Sequence, residues 1–271
     1  MCINKKLLQG SLLFAFFLLI SFQLQAQSQF KVLLITETAG WHHGSISNGI
    51  EAVEKLAGRH NFEVDVQQNA IPITEESLKK YEAVIFLSTT GDIFNEEEQE
   101  AIEHFIQSGK GYVGIHAAAD TEYDWPWYNK LVGRMFHIHP AQQTAKLRVM
   151  DHNFPGLEAW PDTMLWTDEW YEFQKEEAEN LHYLVRVDEN TYNPVVTWKN
   201  RDKDENGKMM DRHGEGMGKM HPVVWYHTYD GGRAFYTALG HIPAIWENQY
   251  FLDMLYGGIY YAATGKGIEK E

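Results

Sequence analysis

The chain has 271 residues, a formal net charge of −15 at pH 7 and a single cysteine, Cys2. An acidic chain repels the phosphates of nucleic acids and of anionic membranes, so we expect no nucleic-acid partner. A single cysteine excludes a disulfide within the chain, and the length suits one large domain.

The first 26 residues are predicted to be a secretory signal peptide. Two lysines precede an apolar run over 12–20, and the sequence LQA at 24–26 fits a small-residue cleavage site. We therefore expect a periplasmic or secreted protein, with one mature domain over 27–271 and no membrane insertion after cleavage. Cleavage would remove Cys2 and two lysines, leaving 21 basic and 38 acidic residues, a net charge of −17. A thiol-free chain has no cysteine nucleophile and no thiolate metal ligand.

Four predicted strands follow in the first half of the chain. Continuous apolar runs at 30–35, 83–87 and 112–115 are typical of strands buried on both faces of a parallel sheet. The alternating segment 62–66 is typical of a strand nearer the sheet edge.

Helices are predicted between these strands. One covers 47–56, and a short one begins at Thr74. Another runs from Asn95, an N-cap that Glu98 completes as a capping box, to Gly109. The alternation predicts an α/β fold with a doubly wound, mostly parallel, flavodoxin-like sheet.

The second half is predicted to be more irregular and rich in β-structure. Its predicted strands are at 146–150, 181–187, 194–198, 223–226 and 234–237, and a last helix covers 245–263. The segment 200–220 is charged, rich in glycine and without apolar periodicity, so we expect a long loop insertion there. A solvated insertion is the simplest interpretation, and the methionines with His213 leave a lid or a metal-binding role open.

Ligands of open parallel sheets bind beyond the carboxyl ends of the strands. The loops 36–45, 88–94 and 116–127 should meet at that edge. They supply the candidate substrate-binding residues Trp41, His42, His43, Asp92, Asp120 and Trp125. His116 directly follows a predicted strand, which suits a general base near neutral pH or a hydrogen-bonded histidine that shapes the turn.

Further candidates lie in the second half. His139 follows His137 by two positions, which suits either a pair of metal-binding imidazoles or packing against the next proline. Asp168 and Glu169 lie among aromatic residues, which suits either carboxyl groups whose pKa is raised by desolvation or solvated, salt-bridged surface acids. Tyr171 is a candidate substrate contact in the same segment. His241 follows a glycine at the end of an apolar segment and could meet the first cluster.

Several segments together resemble the ThuA-like (trehalose utilisation) family, within the class I glutamine amidotransferase-like fold. They are TETAGWHHGSI, GKGYVGIHAAAD, HIHPA, DEWYEF and HPVVWYHTYDGGRAFYTALGH, with a later tryptophan at 246. The wider fold places a cysteine nucleophile after this strand and a histidine late in the chain. By resemblance His116 occupies the place of that cysteine and His241 approximates the late histidine, so glutaminase activity is not expected.

The resemblance implies sugar catabolism, often beside oxidoreductases that make 3-keto-sugars. We expect an exported lyase, hydrolase or isomerase that acts on a glycoside or 3-keto-sugar. His116 would be the base, Glu169 or His241 an acid or orienting group, and Trp41 and Trp125 aromatic platforms.

Two alternatives stay open. One is a divalent metal such as zinc, bound by some of His42, His116, His139, Glu169 and His241. The other is a non-catalytic sugar-binding protein of the cell envelope.

Overall fold

The computed structural model of the protein describes residues 27–69, 71–203 and 205–268. The predicted signal peptide and its cleavage site lie outside the described residues. The described strands are β1 (Lys31–Ile35), β2 (Glu63–Gln67), β3 (Ala83–Leu87), β4 (Gly111–Ile115), β5 (Arg134–Ile138), β6 (Gln143–Val149), β7 (Thr163–Asp168), β8 (Glu172–Glu177), β9 (His182–Asp188), β10 (Val196–Lys203), β11 (Met209–Gly214), β12 (His221–Tyr229) and β13 (Gly232–Thr237).

The described helices are α1 (Ile46–His60), α2 (Glu75–Leu78), α3 (Glu96–Gln107), α4 (Pro126–Val132) and α5 (Gln249–Thr264). Short 3₁₀ segments cover His116–Asp120, Glu189–Thr191 and Pro243–Glu247. None of the helices in the described part of the chain has the length and apolar character needed to cross a membrane.

Nine strands form one mixed sheet in the order β2-β1-β3-β4-β13-β12-β9-β6-β7. The first five are parallel to their neighbours, and the rest pair antiparallel. The pairs β5–β8 and β10–β11 form two small separate sheets. Strands β1, β3 and β4 are almost wholly buried, as their continuous apolar runs predict. The predicted α/β class, with a parallel half and a more irregular β-rich half, is confirmed.

The parallel pairing of β4 with β13 aligns two distant parts of the chain. In its register Ile115 lies opposite Thr237. Since parallel strands run in the same direction, the chain leaves both strands at the same sheet edge. The residues after 115 and after 237 therefore meet at this edge.

The capping box predicted at the start of α3 is present. The Asn95 side chain accepts hydrogen bonds from the backbone N–H groups of Glu97 and Glu98, and Glu98 accepts one from the Asn95 N–H. These bonds satisfy donors that the first helical turn leaves free.

The expected loop at 200–220 instead contains most of an antiparallel hairpin, β10–β11. Its strands are exposed and polar, and ion pairs join them: Lys199 with Asp211 at 2.6 Å, and Arg212 with Asp202. Apolar periodicity cannot reveal a strand that buries little apolar surface, which is why the sequence pattern indicates a loop.

Other elements differ from the sequence predictions in their limits. The last helix, α5, begins at Gln249 after a separate 3₁₀ segment, and not at 245. Strands β5, β7 and β8 and helix α4 are short additions that the pattern does not predict. The three strands are interrupted by polar or charged residues, and α4 spans only 7 residues.

Close packing of α5 requires a glycine at 257, and we expect Gly257→Ala to destabilise the fold by about 3 kcal/mol. A Cβ at this position would lie 1.7 Å from the backbone oxygen of Pro155. Gly58→Ala in α1 is the matched control, since a Cβ there meets nothing within 4 Å and should stabilise by about 0.5–1 kcal/mol. Urea unfolding followed by tryptophan fluorescence measures both. Equal midpoints for the two variants would contradict this account.

Candidate functional site

A cavity of about 730 Å³ opens at the sheet edge where β4 and β13 end. Seven of the candidate residues line it: Trp41, His43, Asp120, His139, Glu169, Tyr171 and His241. The structure thus brings together side chains from five separate segments. The volume of the cavity is in the range of small-molecule sites.

His116 lies behind these lining residues and is fully buried. It follows β4 with a left-handed backbone, φ 54°. Its Nδ1 lies 2.8 Å from the carbonyl oxygen of Ala238, which only accepts, so Nδ1 carries the proton. Its Nε2 lies 2.9 Å from the Tyr171 hydroxyl. His116 does not line the cavity, so a substrate there meets its neighbours first.

Glu169 is at the centre of three imidazoles. Its Oε2 lies 3.1 Å from His241 Nδ1 and 3.6 Å from the Nε2 atoms of both His116 and His139. Burial alone would raise the pKa of Glu169, but its interactions with His116 and His241 outweigh burial and hold that pKa well below its usual range.

The three cavity-lining histidines differ in environment. Burial lowers the pKa of His139, and it lowers the pKa of His43 to about 3, with the neighbouring His116 adding to the effect. Burial also acts against the charged form of His241, but its hydrogen bond with Glu169 leaves the pKa of His241 raised.

His43 completes a compact group with His116, Glu169 and His241. Its ring contacts His116 and His241 edge-on, with centroids 4.7 and 5.5 Å apart. One potential ligand atom from each of the four residues lies within 4.8 Å of the others. His43 is only 6% exposed, and its Nδ1 has no hydrogen-bond partner among the described residues. Three imidazoles and a carboxylate are a donor set that suits zinc and similar ions.

Asp168, at the end of β7, fixes the backbone around this group. Its carboxylate accepts hydrogen bonds from the N–H groups of Gly240, His241 and Glu169 at 3.0, 3.2 and 3.0 Å. Burial raises the pKa of Asp168 to about 6. Gly240 has φ 129°, a conformation that a side chain would strain.

Three candidate residues lie elsewhere. The prediction that Trp125 is an aromatic platform needs correction. Trp125 packs on Trp127 and donates its indole N–H to Glu103, so it provides no platform in the cavity. His42 and Asp92 are exposed, and His42 contacts Thr38 outside the cavity.

The His137–His139 pair does not act together. His137 Nε2 contacts the backbone oxygen of His213, at 3.0 Å. His139 points into the cavity and holds its Nδ1 2.8 Å from the Pro140 oxygen. The strand β5 ends at Ile138, so the two side chains do not share one extended face.

Sequence reasoning missed the wall that the β10–β11 hairpin provides. Its residues Thr197, Trp198, Lys199 and Arg201 line the cavity. The Trp198 ring packs edge-on against His139, with centroids 4.9 Å apart, and the Arg201 guanidinium lies 5.6 Å from the Trp198 ring. The residue types were visible in the sequence, but only the hairpin fold brings them to the cavity.

A family model described as "ThuA: Trehalose utilisation" matches residues 31–262. The chain belongs to the ThuA family. Comparison with curated proteins gives no match.

Solved structures share the ThuA fold. A ThuA-like protein from Bacteroides uniformis aligns with a TM-score of 0.69 at 19% identity, covering 88% of this chain and 92% of that one. One from Parabacteroides merdae gives 0.62 and 22%, covering 89% and 92%. Part of a β-galactosidase from Bacillus circulans sp. alkalophilus gives 0.50 and 13%, with 88% of this chain aligned to 31% of the enzyme. These likenesses establish the fold alone.

Asp168→Asn should destabilise this ThuA-family fold by roughly 2–4 kcal/mol. Both carboxylate oxygens of Asp168 now accept hydrogen bonds from backbone N–H groups. In asparagine an NH₂ group replaces one of these oxygens, and it would face an N–H donor without an acceptor. Asp162→Asn is the matched control, because the Asp162 side chain is 96% exposed and should change stability by less than about 0.5 kcal/mol. Chemical unfolding compares the two, and similar losses would refute the anchoring role of Asp168.

Proposed function

We propose that this protein is an exported enzyme of carbohydrate catabolism, acting on a glycoside or 3-keto-sugar in the cavity above Glu169. The observation that carries the proposal is the group of imidazoles around the Glu169 Oε2, at the base of a cavity with aromatic walls. The family's description, trehalose utilisation, supports a carbohydrate as the substrate.

The walls of the cavity suit a sugar ring. Trp41, 71% exposed at the rim, and Trp198 offer aromatic faces, on which the C–H faces of sugars stack. Asp120, Tyr171 and Arg201 offer hydrogen-bonding groups for hydroxyls.

The residue at the turn after β4 supports a reaction other than glutamine hydrolysis. His116 stands there, and the described residues contain no cysteine. Because His116 does not line the cavity, we assign it a positioning role: it holds Tyr171 and His241 from behind.

His139 is our choice for the base. Its Nδ1–H donates to the Pro140 oxygen, which leaves an unprotonated Nε2 facing Glu169 in the cavity. A ketone at C3 acidifies the adjacent C2–H bond, so a neutral imidazole can accept that proton.

The proposed reaction is then an elimination. The electrons of the C2–H bond form a double bond between C1 and C2, and the C1–O bond breaks. The departing oxygen takes the proton that His139 accepted, giving an enone and a free hydroxyl compound. Glu169 and His241 orient the substrate oxygens at the base of the cavity. An oxidoreductase that oxidises the C3 hydroxyl would supply the substrate.

The test is incubation with 3-keto-glycosides, measuring release of the hydroxyl compound with and without added divalent metal. His139→Ala should lower kcat about 10²-fold or more. His104→Ala, an exposed histidine of α3 paired with Glu75, should leave kcat unchanged. No turnover by the unmodified protein under either condition would overturn the proposal. Sugar binding without turnover would instead indicate a non-catalytic sugar-binding protein.

The aromatic wall gives a separate prediction about substrate binding. Trp198→Ala should raise KM about tenfold, through loss of a stacking surface worth roughly 1.4 kcal/mol, and Trp198→Phe should keep most of it. Trp125→Phe removes the indole N–H that binds Glu103, away from the cavity, and should leave KM unchanged. A larger effect of the Trp125 change than of Trp198→Ala would show that the wall is wrongly assigned.

A further inference from the structure

We infer that the base of the cavity binds one divalent metal ion of the zinc type, held by His43, His116, Glu169 and His241. What the ion does to a sugar rests on the proposed function, whereas the binding of the ion does not.

The spacing of the facing atoms supports an ion between them. His116 Nε2, His241 Nδ1 and Glu169 Oε2 form a triangle with sides of 3.1, 3.3 and 3.6 Å. Ligand atoms bound to one tetrahedral zinc at about 2.0–2.2 Å stand about 3.3–3.6 Å apart. The longest of the three sides exceeds the usual range of an N–H···O hydrogen bond. The 3.3 and 3.6 Å sides therefore match ligands of a common ion, and the 3.1 Å side is the His241–Glu169 hydrogen bond that an ion would replace.

Two imidazoles of the group, those of His116 and His43, each offer a ring nitrogen to an ion. The Ala238 carbonyl accepts a hydrogen bond from the Nδ1–H of His116, so Nε2 is the ring nitrogen that an ion would bind. Metal-binding histidines usually donate their second N–H to such an acceptor. His43, more than nine-tenths buried, has an Nδ1 without a partner among the described residues. A buried unpaired nitrogen costs free energy, and an ion at this group would account for the placement of the His43 ring.

The composition of the group selects the kind of ion. Three imidazoles and one carboxylate suit zinc and similar transition metals, whereas magnesium and calcium prefer oxygen ligands. Two buried carboxylates, Glu169 and Asp168 directly behind it, offset the charge of a divalent ion.

The ion would border the cavity, because His43, Glu169 and His241 line it and His116 lies behind. Ion binding would replace the Tyr171 hydroxyl as the partner of His116 Nε2 and free that hydroxyl for substrate. At this position a zinc-type ion polarises a carbonyl oxygen, while His139, outside the group, keeps its role as base.

The experiment measures metal binding by the full mature chain without any sugar. The protein is stripped with chelator and titrated with Co²⁺, followed by visible absorption, and with Zn²⁺, followed by calorimetry and elemental analysis. We expect one ion per chain and a cobalt spectrum typical of four or five ligands. Glu169→Gln and His241→Ala should each weaken binding about 10²-fold or more.

Two variants serve as controls. His152→Ala alters a histidine paired with Asp162 near the surface and should leave metal affinity unchanged. Tyr171→Phe removes the hydroxyl that occupies His116 Nε2, so metal affinity should stay the same or rise. Circular dichroism without metal checks that each variant folds.

Stoichiometry far below one ion per chain would overturn the inference, as would full affinity in the folded Glu169→Gln and His241→Ala variants. Metal binding without turnover of any 3-keto-glycoside would leave the metal site standing and count against the proposed function. Turnover of a 3-keto-glycoside by metal-free protein in excess chelator would support the proposed function and count against a role for the ion in it.

Discussion

The site depends on the parallel pairing of β4 with β13. This pairing places Ile115 opposite Thr237, so the chain leaves both strands at the same edge of the sheet. His116 follows at once on one side, and Ala238 to His241 follow on the other. The same contact brings the Ala238 carbonyl to His116 and thereby selects the tautomer of its imidazole. One backbone register therefore sets both the position and the protonation pattern of the buried histidine.

Much of this edge can be predicted from the sequence, because the relevant signals are local. A buried apolar strand followed by a polar residue marks the sheet edge, which is how His116 is identified. Local sequence context adds Glu169, among aromatic residues, and His241, after a glycine, and both lie within 3.6 Å of His116. Two features could not be predicted in this way. The direction of the Trp125 side chain depends on its bond to Glu103 in α3, a contact between distant residues. The β10–β11 hairpin is joined by ion pairs and has no apolar period, so nothing in its pattern shows that Trp198 reaches the cavity.

The group around Glu169 is costly to build, and its surroundings explain how it persists. Burying two carboxylates and several imidazoles loses hydration that hydrogen bonds must replace. Asp168 offsets part of this lost hydration by accepting hydrogen bonds from three backbone N–H groups. His221 adds support on another side, where its Nε2 lies 2.8 Å from the Tyr171 carbonyl oxygen and its Nδ1 lies 2.7 Å from Glu189. Such a shell of hydrogen bonds limits the movement of the inner side chains.

The histidine at the turn after β4 changes what the fold can do. A thiol at such a turn would have to reach the substrate directly in order to attack it. His116 is fully buried and contacts Ala238 on one side and Tyr171 and His241 on the other, so it reaches the cavity only through these neighbours. In the proposed function the reacting groups are therefore the ones in front of it, on segments that follow β5, β7 and β13. One sheet edge can in this way support different chemistry, according to which side chains line the cavity in front of it.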